Sequence, residues 1–123
     1  MKKLVCIILA LAMVLTMCAC GGKNAGSDSE YIKSKGSLVV GITDFEPMDY
    51  QKDGEWIGFD ADMAKAFAEY LGVEVEFIEI DWDNKVLELN NKSIDCVWNG
   101  MTITDEATAN ADVTDAYVVN AQV

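Results

Sequence analysis

Histidine and arginine are both absent from the 123 residues, proline occurs once, at Pro47, and long apolar runs are confined to the N-terminus. The missing histidine removes the commonest general base and the commonest zinc ligand. An enzyme would have to work with Asp, Glu, Tyr, Lys or Ser, and no acid–base pair is evident, so catalysis is not expected. The missing arginine removes the side chain best shaped for bidentate pairing with carboxylate or phosphate. The nine cations are all lysines and stand against 21 acids, for a formal charge of −12. That balance argues against nucleic acid, which needs clustered cations, and against protein charge binding an anionic lipid surface. Acidity of this kind reads as solubility. No cofactor is expected. The length limits the chain to one domain with a small core.

Met1-Lys2-Lys3 is a short basic start, and Leu4 to Met17 is apolar except for Thr16. That length suits the core of a signal peptide better than a bilayer span, although an uncleaved anchor is the competing reading. Cys18-Ala19-Cys20-Gly21-Gly22 follows. A small residue before a cysteine resembles the lipobox of bacterial lipoproteins, in which cleavage precedes the cysteine and the thiol is acylated. Cys20, behind Ala19, fits best; Cys18, behind Met17, is the alternative. Residues 1–19 are then a signal peptide, and 20–30, rich in Gly and Ser, a lipid-anchored flexible tether. Loss of Lys2 and Lys3 takes the net charge to about −14. Cys96 would remain a free thiol, and its apolar surroundings read as a buried structural cysteine.

Order is expected from Tyr31. Leu38 to Ile42 reads as a buried strand and Thr43 to Gly58 as a loop with a hairpin-type turn at Asp53-Gly54. Phe59 to Leu71 reads as a helix, with Phe59, Met63, Ala66, Phe67, Tyr70 and Leu71 on its apolar face, Asp60 as N-cap and Gly72 as stop. Val73 to Ile80 alternates as a strand. Asp83 is placed to cap a helix ending near Asn90-Asn91. Ile94 to Trp98 reads as a third strand, Thr104 as the cap of a short helix, and Tyr117 to Val119 as the start of a fourth strand. The pattern is α/β: a mostly parallel sheet with helices on both faces. Ligands of such sheets sit beyond the carboxyl ends of the strands, so Thr43–Met48, Asp81–Asp83 and Asn99–Thr104 should converge on one crevice.

Each of those segments holds candidate contacts. Asp44 beside Phe45 could receive an ammonium group, or be a solvated acid beside a packing residue. Trp82 could wall a site or simply pack. Asp81 and Asp83 could suggest a metal, but Asp83 is better explained as a cap, and no metal is expected. Gly100 lets the backbone approach a ligand, and Asn99 and Thr102 offer hydrogen bonds; the competing reading is a glycine-containing turn.

Gly58-Phe59-Asp60-Ala61-Asp62-Met63-Ala64-Lys65-Ala66, Asp81-Trp82-Asp83, Ile94 to Thr104 and Thr114-Asp115-Ala116-Tyr117 together resemble the polar amino acid solute-binding proteins of ABC importers (solute-binding protein family 3). The resemblance runs from about Leu38 to the end. It implies the type II periplasmic-binding-protein fold, with two lobes closing over one ligand, of which residues 31–123 would be a partial lobe 1. It implies that Phe45 covers the ligand with Asp44 beside it, that Trp82 packs on the other side, and that Asn99, Gly100 and Thr102 hold the amino and carboxylate groups. The implied partners are an amino acid, an ABC permease and, through the N-terminal lipid, the extracytoplasmic face of the bacterial cell membrane.

Two departures stand out. Relatives typically carry an arginine three residues after the threonine at Thr104, where this chain has Ala107. Losing that pairing costs about 2–5 kcal/mol if the ligand carboxylate stays buried. Asn120 to Val123 resembles the start of the first crossing strand, after which a second lobe and a returning strand are expected. Without them the chain should expose sheet edge and apolar helix face. The leading expectation is a solute-binding protein for a small polar amino acid or similar zwitterion. The alternatives are a truncated inactive fragment and a non-transport sensor or interaction lipoprotein on the same fold.

Overall fold

The computed structural model describes residues 26–119. The signal segment, Cys20, the first part of the tether and Asn120–Val123 lie outside the described residues.

Helix α1 (Asp28–Lys35) begins inside the expected tether. The cause is local. Ser27 and Glu30 form a reciprocal capping box, Gly36 closes the other end in the left-handed region, and Ile32 is buried. A Ser-x-x-Glu pattern satisfies two amide donors that a helix start otherwise leaves open, and outweighs the flexible composition around it.

Strand β1 (Ser37–Ile42) is buried along all but its first residue. It is followed by a hairpin of β2 (Tyr50–Lys52) and β3 (Glu55–Ile57). Asp53 and Gly54 both have positive φ at its turn, as a type I′ connection requires. Helix α2 spans Phe59–Leu71 and β4 spans Glu74–Glu79. A single 3₁₀ turn, Trp82–Asn84, leads into α3 (Lys85–Asn90). Strand β5 (Cys96–Val97) and α4 (Asp105–Asn110) complete the order. The main sheet is parallel, in the order β4-β1-β5. The third strand is shorter than Ile94–Trp98, yet Asp95 N–H and Trp98 N–H still donate to the Val39 and Gly41 carbonyls on either side of the two ladder residues. No strand forms at Tyr117–Val119.

The alternation along β1 builds two cores. Leu38 and Val40 face Ile32 of α1 and Ala64 and Ala68 of α2. Val39 faces Ile80 and Ile94, with Leu89 of α3 beside them. Helices therefore cover both faces, as expected. The buried stripe of α2 is not the one read from the sequence. Ala61, Ala64 and Ala68 are buried, while Phe59, Phe67 and Tyr70 are exposed. Alanines at this spacing let the helix backbone sit close on the sheet, so the aromatic side chains are displaced to its flank. There Phe59 stacks on Tyr117 (6.4 Å between centroids) and Phe67 meets Trp98 edge-on (5.9 Å).

Two caps differ from expectation. The N-cap of α2 is Gly58, not Asp60, and Asp60 is fully buried in the first turn. The cap after β4 is Asp81, whose Oδ1 accepts from Asp83 N–H at 3.0 Å; Asp83 itself is exposed. Cys96 is half-buried and free. Burial first, and Asp95 second, push its thiol up to about 12, with Lys35 offsetting a part, so it stays protonated and unreactive.

Candidate functional site

Because β1 is the middle strand of a parallel sheet, its carboxyl end lies beside those of its neighbours. Ile42 pairs with Glu79 and Gly41 with Val97. Thr43–Met48, Asp81–Asn84 and Asn99–Thr104 therefore leave the sheet along one edge, the edge at which open parallel sheets bind ligands.

Asn99 is buried and already committed. Its Oδ1 accepts from Thr43 N–H at 2.8 Å and its Nδ2 donates to Thr43 Oγ1 at 2.5 Å. The orientation follows from chemistry, since only the amide oxygen can receive the Thr43 N–H. This side chain, expected to touch a ligand, ties the tips of β1 and β5, and so fixes the spacing of the two loops. Asn99→Ala should cost about 1–3 kcal/mol, because it strands the Thr43 N–H. Urea unfolding checks this, and an unchanged midpoint would show that the tie is dispensable.

Phe45 is 47% exposed. The backbone holds it tightly: Phe45 N–H donates to Asp49 O at 2.6 Å, and the Met48 and Asp49 amides donate to Phe45 O at 2.8 and 3.0 Å. Its ring lies against Gly100. A Cβ placed on Gly100 would stand 3.3 Å from Phe45 Cε1 and 3.4 Å from Met48 Cγ, and φ at Gly100 is 61°. Ring approach and backbone conformation both call for glycine there. Asp44 and Thr102 are exposed on the same two loops. Trp82 stands at the tip of the strand on the other side of β1. Lys85 places its Nζ 4.7 Å from the Trp82 ring centroid and bonds Trp82 O at 3.1 Å. The structure thus joins Phe45 to Gly100, and Asn99 to Thr43, while Trp82 is engaged by Lys85.

At position 107 the alanine side chain is buried, and its N–H donates to Thr104 Oγ1 at 3.1 Å. No cation is offered there. Lys85 is the one cation in residues 43–48, 81–85 and 99–106; the other charges there are Asp44, Glu46, Asp81, Asp83, Asp105 and Glu106. Sequence reasoning passed over Lys85. The signal was its position three residues after Trp82, which puts the two side chains on one face of a turn. It also passed over four residues under the Phe45 loop. Asp49 and Asp60 are both fully buried, Tyr117 Oη donates to Asp60 Oδ1 at 2.7 Å, and Trp98 Nε1 donates to Tyr117 Oη at 3.1 Å. Burial, then the neighbouring Asp60, push Asp49 up to about 7, and the Ala61 amide in the first turn of α2 offsets a part. The Tyr117 hydroxyl is also pushed up, chiefly by burial and then by the carboxylate it donates to.

A groove of about 740 Å³ lies elsewhere, at the amino ends of β1 and β5, lined by Tyr31, Ile32, Leu89, Lys92, Ile94 and Asp95 among others.

Residues 38–123 match the family model for bacterial extracellular solute-binding proteins, family 3. The chain belongs to this family. Within it, the chain is similar to the arginine-binding extracellular protein ArtP of Bacillus subtilis (strain 168), at 34% identity over 95% of this chain and 45% of that protein. It is also similar to the L-cystine-binding protein TcyJ of Escherichia coli, at 31% identity over 92% of this chain and 43% of that one. The chain thus spans under half the length of these relatives. Among solved structures, the arginine-bound form of domain 1 from TmArgBP is 41% identical, with a TM-score of 0.61, over 64% of this chain and 64% of that one. An ancestral cyclohexadienyl dehydratase is 38% identical, with a TM-score of 0.72, over 76% of this chain and 39% of that one. The fold is that of a type II periplasmic-binding-protein domain.

Proposed function

We propose that this chain binds a small amino acid carrying positive charge, at the carboxyl edge of its sheet, for delivery to an ABC permease. The observation that carries this reading is the exposed Phe45 ring seated on Gly100 beside an acid-rich rim. An aromatic face and surrounding carboxylates favour a cationic ligand. The names of the relatives support it, since one binds arginine, and domain 1 of TmArgBP holds arginine in its solved structure. Asp44 would meet ligand ammonium, Trp82 would form the second wall, and Gly100 and Thr102 would offer backbone and hydroxyl donors. Asn99 would act by holding the two loops at the right spacing. With alanine at 107, Lys85 is the group placed to meet a ligand carboxylate.

We read the chain as a binding protein and not as an enzyme. Asp49, the described carboxyl group pushed up toward neutrality, is shut away from any substrate. Thermal unfolding of the full chain in detergent micelles, with arginine, histidine, cystine and glutamate added in turn, tests the ligand. Arginine at 100 times its dissociation constant should add about 2.7 kcal/mol of stability and raise Tm accordingly. No shift with any of the four would end this reading.

Residues 1–19 act in this proposal as a signal peptide, and Cys20 as the lipid attachment site at the outer face of the cell membrane. Cys20→Ala should shift the chain from the membrane fraction to the medium. A variant that stays acylated would move the assignment to Cys18.

A further inference from the structure

The loop that carries Phe45 is pinned to the start of α2 by backbone bonds. Phe59 N–H donates to Pro47 O at 3.2 Å and Asp60 N–H donates to Met48 O at 2.9 Å. A helix start leaves such donors open, and here two loop carbonyls take them. The side chains of Asp49, from the loop, and Asp60, from the helix, are buried between the two elements at 0% exposure. Both oxygens of Asp49, and Oδ2 of Asp60, have no hydrogen-bond partner. No described cation faces the pair. Lys65, on the same helix, turns its ammonium to Trp56 O at 2.6 Å and to Asp62 at 3.5 Å. Lys52 and Glu55, on the hairpin, are exposed, as are Asp44 and Glu46 on the loop itself. The remaining titratable neighbour is Tyr117, from the C-terminal segment, which donates to Asp60.

Burial and a neighbouring carboxylate both disfavour the charged form of a carboxyl group, so a pair buried together without a cation favours keeping one proton. Asp60 accepts from the Tyr117 hydroxyl, whereas for Asp49 the Ala61 amide offsets only a part of the burial, so the proton sits on Asp49. Asp49 is also the backbone partner of Phe45 in both directions.

We propose that the loop presenting Phe45 is a proton-controlled clamp, in which one proton on the buried Asp49–Asp60 pair holds the loop on the N-terminus of α2 and its loss releases the loop, carrying Phe45 away from Gly100. The proton leaves to solvent, and the pair goes from one negative charge to two. The like charges are relieved when Asp49 swings out to water, which its place on a loop allows and the place of Asp60 in a helix does not. The helix N-terminus steadies one anion there but does not solvate two. That Phe45 covers a ligand rests on the proposed function above; the clamp itself does not.

The test is an NMR titration of the full chain in detergent micelles from pH 4 to 9, following aspartate carboxyl carbons and backbone amides. The expected result is one carboxyl, that of Asp49, titrating near neutrality, with the Phe45 and Gly100 amides shifting at the same midpoint. In Asp49→Asn those amides should hold their low-pH positions throughout. Co-titration in the unsubstituted chain decides the matter even if that variant does not fold. Asp49 titrating in the ordinary carboxylate range, or Phe45 and Gly100 amides that stay fixed while it titrates, would overturn the clamp. Arginine added at pH 6 separates the two proposals: co-titration without any arginine-induced shift supports the clamp and removes the ligand reading.

Discussion

Gly58→Ala is expected to destabilise the domain by about 3–5 kcal/mol. Two effects combine. Gly58 sits at φ 121°, in a region L side chains rarely adopt, which costs about 1–3 kcal/mol. A Cβ there would also stand 2.7 Å from the Met48 carbonyl carbon and 2.8 Å from the Pro47 oxygen, both backbone atoms that cannot rotate aside. Relief requires the loop to leave the helix, which forfeits the bonds from Phe59 and Asp60 amides at about 1 kcal/mol each. Denaturant unfolding measures the loss. A cost below 1 kcal/mol would mean that the loop docks loosely. The same substitution should move Phe45, so ligand affinity should fall along with stability. By contrast, a Cβ on Gly54 in the hairpin turn meets no atom within 4 Å, so alanine there adds only the strain of positive φ.

The chain shows which parts of a fold are written locally. The span of α2 was legible because Gly72 stops an uninterrupted run of helix formers, although its cap is Gly58 and not the expected Asp60. The parallel sheet was legible because short apolar runs alternate with helical patterns. What failed was the facing of α2. Phe59, Phe67 and Tyr70 outrank alanine in hydrophobicity, but close approach to a sheet selects small side chains, so Ala61, Ala64 and Ala68 went inward. The start of α1 is encoded in the Ser27–Glu30 spacing, inside a composition that otherwise favours a flexible tether. The site divides the same way. Phe45, Trp82 and Gly100 could be placed at strand ends from periodicity alone. The tie between Asn99 and Thr43 spans 56 positions, and the meeting of Tyr117 with Asp60 spans 57; neither leaves a local trace. Buried carboxylates are the hardest case, since an aspartate in a loop is by default a solvated one.

The buried pair makes the pH profile of stability informative. Asp49 is raised from 3.8 to about 7 in the folded protein, first by burial and then by Asp60. Between those values the folded chain binds more protons than the unfolded chain, so the Asp49 contribution falls as pH rises. It is fully present below the unfolded value and lost once pH passes the folded one. The expected loss from this group between pH 4 and pH 7 is roughly 2–4 kcal/mol, with a plateau above. Asp49→Asn keeps the shape of the neutral acid and removes the proton. It should match the unsubstituted chain near pH 4 and exceed its stability by a similar 2–4 kcal/mol at pH 8. Urea unfolding of both chains at pH 4.5, 6 and 8 measures the difference directly. A gap that stays constant across that range, or that narrows toward alkaline pH, would show that Asp49 does not hold the proton. A gap that widens would mean that at neutral pH this chain carries a loop anchored against its own charge. Part of the stability lost there would be the free energy that lets the Phe45 loop move.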